Sequence, residues 1–322
     1  MTSFVMQSPR SAAAAVALLA AQPQTKIIAG GTDLIPNLRR GIGAPQHLID
    51  LSCMDELGQI ERSGQRWILG AGVTLKQLVS HAELASDLPA LAQAAATVAG
   101  PAHRSVATLG GNLCLDTRCV FYNQSQWWRE SNHCCLKHGG EVCHVAPQGA
   151  RCHAAWSGDL APALLALNAS IDILGPQGLR QLPLTDFYVD DGAQPLTLAA
   201  AELITAVHLP AQTKGMRSGY RKARVRGAID FPLAGVAACC AVSQGMLTEL
   251  RVALTGTNSS PFLLAGTEAL CHTPVNAALL SALGKLVQKQ VSPMRTTLTS
   301  AAYRRQVASV LAQRLVRELV EL

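Results

Sequence analysis

Five of the ten cysteines in this 322-residue chain lie between Cys119 and Cys152, in the segment CVFYNQSQWWRESNHCCLKHGGEVCHVAPQGARC. The spacing offers four separate thiolate positions: Cys119, one of the adjacent pair Cys134 and Cys135, Cys143, and Cys152. Four thiolates suit a cubane iron–sulfur cluster, which takes one per iron. Adjacent residues of an extended segment point in opposite directions, so Cys134 and Cys135 are not expected to face one metal together. Two other readings stand beside this one. Structural zinc also takes four thiolates, but it favours close C-x₂₋₄-C knuckles, which this segment lacks. Free cysteines are also often simply buried as small apolar side chains. His144 and His153 each follow a cysteine and are expected to make supporting or surface contacts rather than to ligate.

Glycine carries a second possible chemistry. AGGTDL (Ala29–Leu34) follows an apolar strand, and TLGGNL (Thr108–Leu113) follows a helix and a loop. Glycine lets backbone N–H groups approach a phosphate closely, and a flanking Thr or Asn adds a neutral donor. Neither motif is a G-x-G-x-x-G fingerprint or a Walker A loop. Each alone reads as a tight turn. Together they suggest the cradle of a dinucleotide pyrophosphate.

The elements that must hold these residues are legible in outline. Ser11–Ala21 reads as a helix capped by Ser11, KIIAGG and HLIDL as short strands, and TDLIPNLRRG as a turn into a short helix. RWILGAGVTLKQLVSH reads as strand, glycine turn and helix; LPALAQAAATVAG as a helix ending at Gly100; GDLAPALLALNASIDILG as a helix followed by a strand. Beyond about residue 215, FPLAGVAACCAV and LTELRVALTGT resemble strands of an antiparallel sheet. NAALLSALGKLV and SAAYRRQVASVLAQRLVREL read as helices packed on it.

Composition narrows the class. With 49% hydrophobic and 15% charged residues, the chain is neither disordered nor collagen-like and is long enough for two or three domains. The net charge of +6 is modest. Its one basic run, GMRSGYRKARVR (Gly215–Arg226), reads as a solvated edge or phosphate clamp, so no nucleic-acid partner is expected. The Ala-rich Ser11–Gln22 stretch lacks the basic flank of a signal peptide, and no apolar run approaches the roughly 18 residues of a membrane span. A cytoplasmic location is expected, where clustered cysteines suggest metal rather than disulfides.

IIAGGTDLIPNLRRG, SVATLGGNL, SGDLAPALLAL and YRKARVRGAIDFPLAGVA occur in an order and at a spacing that resembles the FAD-binding medium subunits of the molybdenum hydroxylases, the xanthine dehydrogenase family. The resemblance runs over essentially the whole chain. It implies an α+β fold: a two-part FAD-binding domain (residues 1–55 and 56–213) followed by a C-terminal α+β domain, an antiparallel sheet with helices (214–322). It implies that Ile28, Ala29, Gly30, Gly31, Thr32, Asp33 and Leu34, with Thr108, Gly110, Gly111, Asn112 and Asp116, hold FAD. Asp159 matches an acidic position that hydrogen-bonds the flavin's sugar-like chain, and Lys222 a basic position near the isoalloxazine. By themselves, Asp159 also reads as a helix N-cap and Lys222 as a solvated edge lysine.

Ordinary members of that family run almost directly from the second glycine motif to the SGDLAP helix. This chain carries an inserted loop at about residues 114–156. Phe121, Tyr122, Trp127 and Trp128 argue against its being disordered, and long aperiodic loops are commonly functional. The loop resembles that of one subclass, the FAD subunits of 4-hydroxybenzoyl-CoA reductases, in which an insertion holds an additional [4Fe-4S] cluster. That resemblance selects Cys135 over Cys134 and gives the ligand set Cys119, Cys135, Cys143 and Cys152, shielded by Trp127 and Trp128. It implies a small [2Fe-2S] subunit and a large molybdopterin subunit in a dimerised heterotrimer, with ferredoxin as electron donor for reductive dehydroxylation. No catalytic acid or base is expected in this chain, whose chemistry is electron transfer. Two alternatives remain: the medium subunit of an aromatic or N-heterocycle hydroxylase with outward electron flow, and a non-enzymatic flavin or metal scaffold. Cys114, Cys239, Cys240 and Cys271 read as core residues, and Cys53 has no assigned role.

Overall fold

The computed structural model describes residues 3–212 and 215–321 and contains three sheets. The first is parallel, with His47–Asp50 between Val5–Gln7 and Thr25–Ile28. Parallel neighbours need a crossover, and the helix Ala12–Ala21 supplies one. Ser11 accepts a hydrogen bond from the Ala14 amide at its start, and the helix buries Ala12, Ala15, Val16 and Leu19, an i, i+3, i+4, i+7 stripe. Thr25–Ile28 then ends directly at the first glycine turn. The loop beyond the carboxyl end of a strand is where α/β sheets commonly bind ligands.

The second sheet is antiparallel, in the order Ile60–Ser63, Arg66–Gly70, Leu203–Leu209, Ser170–Gly175, Gly178–Pro183. Its core includes Trp67, Leu69, Ile171, Ile173 and Val207. The helix Leu160–Ala166 is buried at all of its positions, which a sequence as uniformly apolar as LAPALLA requires. It packs against the third sheet, whose order is Phe262–Leu263, Met246–Thr255, Ala234–Ser243, Arg217–Ala223. Ala234–Ser243 is covered on both faces. Ala237 and Cys239 enter the large core, while Ala234, Val236, Ala238 and Cys240 enter the C-terminal core, which is closed by the helices Ala277–Gln290 and Ala301–Glu321.

Some expectations shift. The helix Pro89–Thr97 ends before Gly100, which instead is the N-cap of Pro101–Arg104, because proline at the first helical position starts a new helix. The second glycine motif is not a turn. Thr108 caps a short helix, Leu109–Leu113, by accepting from the Gly111 amide. In the basic run, Lys222 pairs with Asp159, Arg221 with Glu318, Arg226 with Asp230, and Arg224 donates to the Thr97 carbonyl. Among the described residues no helix is long and apolar enough to cross a membrane.

Candidate flavin cradle and cysteine cavity

The two glycine motifs meet. A Cβ at Gly30 would run into the Val106 carbonyl, so the first turn lies against the backbone just before the second motif. Gly31 has φ +68°, the left-handed region that favours glycine. Among the described residues, the N–H groups of Gly30, Gly31, Thr32 and Asp33 have no hydrogen-bond acceptor. Ile28 is buried behind the turn, and Leu34 begins the helix Leu34–Arg39. Across the gap, Gly111 and Thr32 are exposed, and a Cβ at Gly111 would meet only the Thr108 hydroxyl within 4 Å. Gly110 is tight against Ala71, and the buried Asn112 side chain accepts from the Leu160 amide at 3.1 Å. Free N–H groups in a turn with one left-handed glycine, packed against the backbone that leads into an exposed second glycine, fit the pyrophosphate of a dinucleotide.

Asp159 and Lys222 do come together, and they bring a third residue. Lys222 Nζ lies 2.8 Å from Asp159 Oδ2, and the Tyr220 hydroxyl donates to Oδ1 at 2.6 Å, all nearly sealed from water. Burial raises the carboxyl pKa of Asp159, and the Lys222 charge opposes that shift. Asp159 does stand at the N-cap of the helix, but its side chain makes no cap bond: its oxygens are taken by Tyr220 and Lys222. Tyr220 was not singled out from sequence, although it stands two residues from Lys222 on one strand and so shares its face.

The inserted loop is closed at its neck. Arg118 and Ala155 exchange both backbone hydrogen bonds, at 2.8 and 2.7 Å, which draws Cys119 and Cys152 close together. The helix Gln126–Ser131 follows, and then His133 and Cys134 both adopt left-handed backbone, at φ 60° and 52°. This reversal, not an extended segment, separates the adjacent thiols. Cys119, Cys135, Cys143 and Cys152 line one small cavity with Phe121, Tyr122, Lys137 and His144; Cys134 is not in its wall. Backbone N–H groups point at the sulfurs: Phe121 to Cys119 and Ala154 to Cys152, both at 3.4 Å. Burial raises the pKa of Cys119 and Cys135 and takes Cys152 to about 11, while neighbouring amides, and Lys137 near Cys152, pull the other way.

The aromatic residues behave differently from the expected shield. Trp127 is 74% exposed, on the outer face of its helix, and does not cover the cavity. Trp128 packs edge-on against Phe121. Phe121 and Tyr122 form the apolar wall, and His144 stacks on Phe121 with ring centroids 4.1 Å apart. His144 also bonds the Cys134 carbonyl.

Three basic residues missed in the sequence hold this region. Arg129 is fully buried and donates to the carbonyls of Tyr122, Gln124 and Gly41, tying the loop to the first subdomain. Arg118 pairs with Asp33 of the first glycine turn and donates to Asn37. Lys137 bonds Asp116 and Thr117. Their sequence signal is weak, because each is an ordinary cation in a polar loop.

A family model described as the FAD binding domain in molybdopterin dehydrogenase matches residues 2–212, and one for the CO dehydrogenase flavoprotein C-terminal domain matches 218–319. The xanthine dehydrogenase FAD-binding subunit of Escherichia coli O157:H7 is 28% identical over 309 residues, 95% of this chain and 92% of that one. The aldehyde oxidoreductase FAD-binding subunit of Escherichia coli K12 is 33% identical over 268 residues, covering 79% and 82%. Carbon monoxide dehydrogenase from Hydrogenophaga pseudoflava superposes with a TM-score of 0.81 at 23% identity, over 99% and 97% of the two chains, which shows the fold. With its α+β architecture, paired glycine motifs and family matches over residues 2–212 and 218–319, the chain belongs to the FAD-binding medium subunits of the molybdenum hydroxylase family.

Proposed function

We propose that this medium subunit holds a [4Fe-4S] cluster in its inserted loop, on Cys119, Cys135, Cys143 and Cys152, besides FAD in the glycine cradle. The observation that carries the reading is the convergence of those four thiols, from a 34-residue stretch, on one cavity with amides aimed at their sulfurs. Amide donors to sulfur are among the features that tune an iron–sulfur centre. A structural zinc fits less well. Zinc favours close C-x₂₋₄-C knuckles, which this loop lacks, and among the described residues no three His, Cys, Asp or Glu side chains form a group that could hold a single metal ion. A cluster bound there supplies one-electron transfer, and FAD supplies the exchange between one- and two-electron carriers. The protein's share is to hold the cofactors, exclude water with Phe121 and Tyr122, and fix the distance between them through the closed neck of the loop.

The finer assignment follows from the resemblance of the loop. The chain acts as the electron-entry subunit of a 4-hydroxybenzoyl-CoA reductase, taking low-potential electrons from ferredoxin. Its partners are a small [2Fe-2S] subunit and a large molybdopterin subunit, in a cytoplasmic, dimerised heterotrimer. Outward flow in a hydroxylase is the second reading. It draws support from relatives named as xanthine dehydrogenase, aldehyde oxidoreductase and nicotine 6-hydroxylase subunits. The test is iron, acid-labile sulfide and flavin analysis of the chain purified without oxygen, with low-temperature EPR after reduction. About four irons per chain are expected; zinc, or no metal, would overturn the cluster. With the assembled complex, substrate reduction driven by reduced ferredoxin separates inward from outward flow.

A further inference from the structure

Lys137 stands between the two proposed redox sites. Its side chain is only 6% exposed and lines the cysteine cavity. Its ammonium lies 2.5 Å from both Asp116 Oδ1 and Thr117 Oγ1, and 4.6 Å from the centre of the Tyr122 ring, itself a wall of the cavity. Asp116 in turn reaches the first glycine turn, because its amide donates to Asp33 Oδ2 at 3.1 Å. One buried cation thus lines the thiol cavity and reaches the first glycine turn through Asp116.

The charges around this contact are unequal in their exposure. Asp116 is 29% exposed, so water screens its carboxylate, whereas the ammonium beside the cavity is nearly dry. A charge in a dry site acts more strongly over a few ångströms than one partly in water. The other charged side chains nearby are not in the cavity wall, Asp191 accepting from the Cys152 amide at 3.3 Å. Arg129 is turned onto backbone carbonyls, Arg118 onto Asp33, and Arg151 onto Asp190. Lys137 is thus the ammonium in the cavity wall, while Arg129, a second buried cation bonded to carbonyls, lies over the Tyr122 ring at 5.8 Å from its centre.

Resting on the cluster assignment above, we infer that Lys137 is a positioning residue that sets the reduction potential of the loop's iron–sulfur centre and ties it to the flavin turn through Asp116. One-electron reduction of the centre by an external carrier adds one negative charge to the cavity. A fixed positive charge alongside favours that reduced form and raises the midpoint.

The experiment uses the purified holoprotein and an EPR-monitored redox titration, with two variants of opposite sign. Lys137→Met keeps the length of the side chain and removes the charge; its midpoint should move to a more negative potential. Asp116→Asn keeps the lysine and removes its counter-charge; its midpoint should move to a more positive one. A packing role alone predicts no such opposition. Shifts in opposite directions, with iron content retained in both variants, would support the inference. Unmoved midpoints, or two shifts of the same sign, would overturn it. Should Lys137→Met assemble no cluster, Asp116→Asn decides alone: a rise supports the inference and its absence rejects it. Wild-type protein without iron would overturn the cluster assignment itself, whereas iron with an unmoved midpoint overturns only the role of Lys137.

Discussion

Cys239–Cys240 and Cys134–Cys135 are the same dipeptide in two backbone settings. The first pair sits in the strand Ala234–Ser243, where successive side chains alternate, so Cys239 enters one core and Cys240 the other. The second pair follows a helix end and a left-handed reversal, so Cys135 faces a cavity shared with three other thiols while Cys134 stays outside it. Burial raises the pKa of the strand thiols to about 12 and about 11; among the described residues no backbone amide donates to their sulfurs, and Cys239 has the Ser218 side chain instead. Loop sulfurs are buried too, yet amides are turned toward them. What separates this strand pair from the loop thiols is thus the orientation of nearby N–H groups and the number of thiols that share a void, not burial.

The sharpest way to break this comparison is to exchange the roles of the thiols. Cys135→Ser should abolish the four-iron EPR signal, whereas Cys134→Ser should leave iron and sulfide per chain unchanged. Cys240→Ser should leave iron unchanged as well and cost stability, about 1–3 kcal/mol for a poorly bonded hydroxyl in an apolar core. Iron retained by Cys135→Ser but lost by Cys134→Ser would mean that the left-handed turn is set the other way round.

How much of this was legible beforehand differs between the two regions. The strand FPLAGVAACCAV announces itself by a run of small and β-branched residues, and its two-faced burial follows from that run. The loop does not announce its shape. Its spacing gave four thiol positions but no choice between Cys134 and Cys135 without a family likeness, because the choice depends on φ at two non-glycine residues. Trp127 was expected to shield the loop and instead lies in water, since a short helix shows only one face to its core. Tyr220 and the cations Arg118, Arg129 and Lys137 were missed, because each acts across a long sequence separation that no local pattern records. The strand Leu203–Leu209, central to its sheet, was missed for a similar reason: the chain pairs it with Arg66–Gly70, more than a hundred residues away.

The loop is held by side-chain bonds, the strand by its ladder, and that contrast can be tested. Arg129→Met leaves the carbonyls of Tyr122, Gln124 and Gly41 without their donor. Losing these contacts is expected to cost on the order of 3 kcal/mol. It should appear as rapid proteolysis within the loop while the C-terminal sheet stays resistant. Gly30→Ala places a methyl against the Val106 carbonyl and should spread the two glycine motifs, with FAD per chain falling sharply in the visible spectrum. Unchanged flavin content would show that the cradle does not depend on their contact.

The smallest effect sharpens the other side of the comparison. Cys239 and Cys240 hold their protons in the fold to about pH 12 and about pH 11, while an unfolded thiol ionises near pH 9. A raised folded pKa means that the stabilising contribution is complete below the unfolded value and is lost as pH rises towards the folded one. From about pH 9 upward, the unfolded chain releases protons that the folded chain keeps, so alkali favours unfolding. Each thiol should contribute roughly 1.4 kcal/mol per pH unit in that window. Thermal melts of the wild type between pH 9 and 10.5 should therefore fall, and a Cys239→Ala, Cys240→Ala double variant should fall less steeply over the same range. Alanine fits this strand, which already packs Ala237, Ala238 and Ala241 beside the pair, so the variant should stay folded at neutral pH. Parallel slopes for the two proteins would show that the strand thiols do not remain protonated in the fold and that burial alone does not set them apart from the loop.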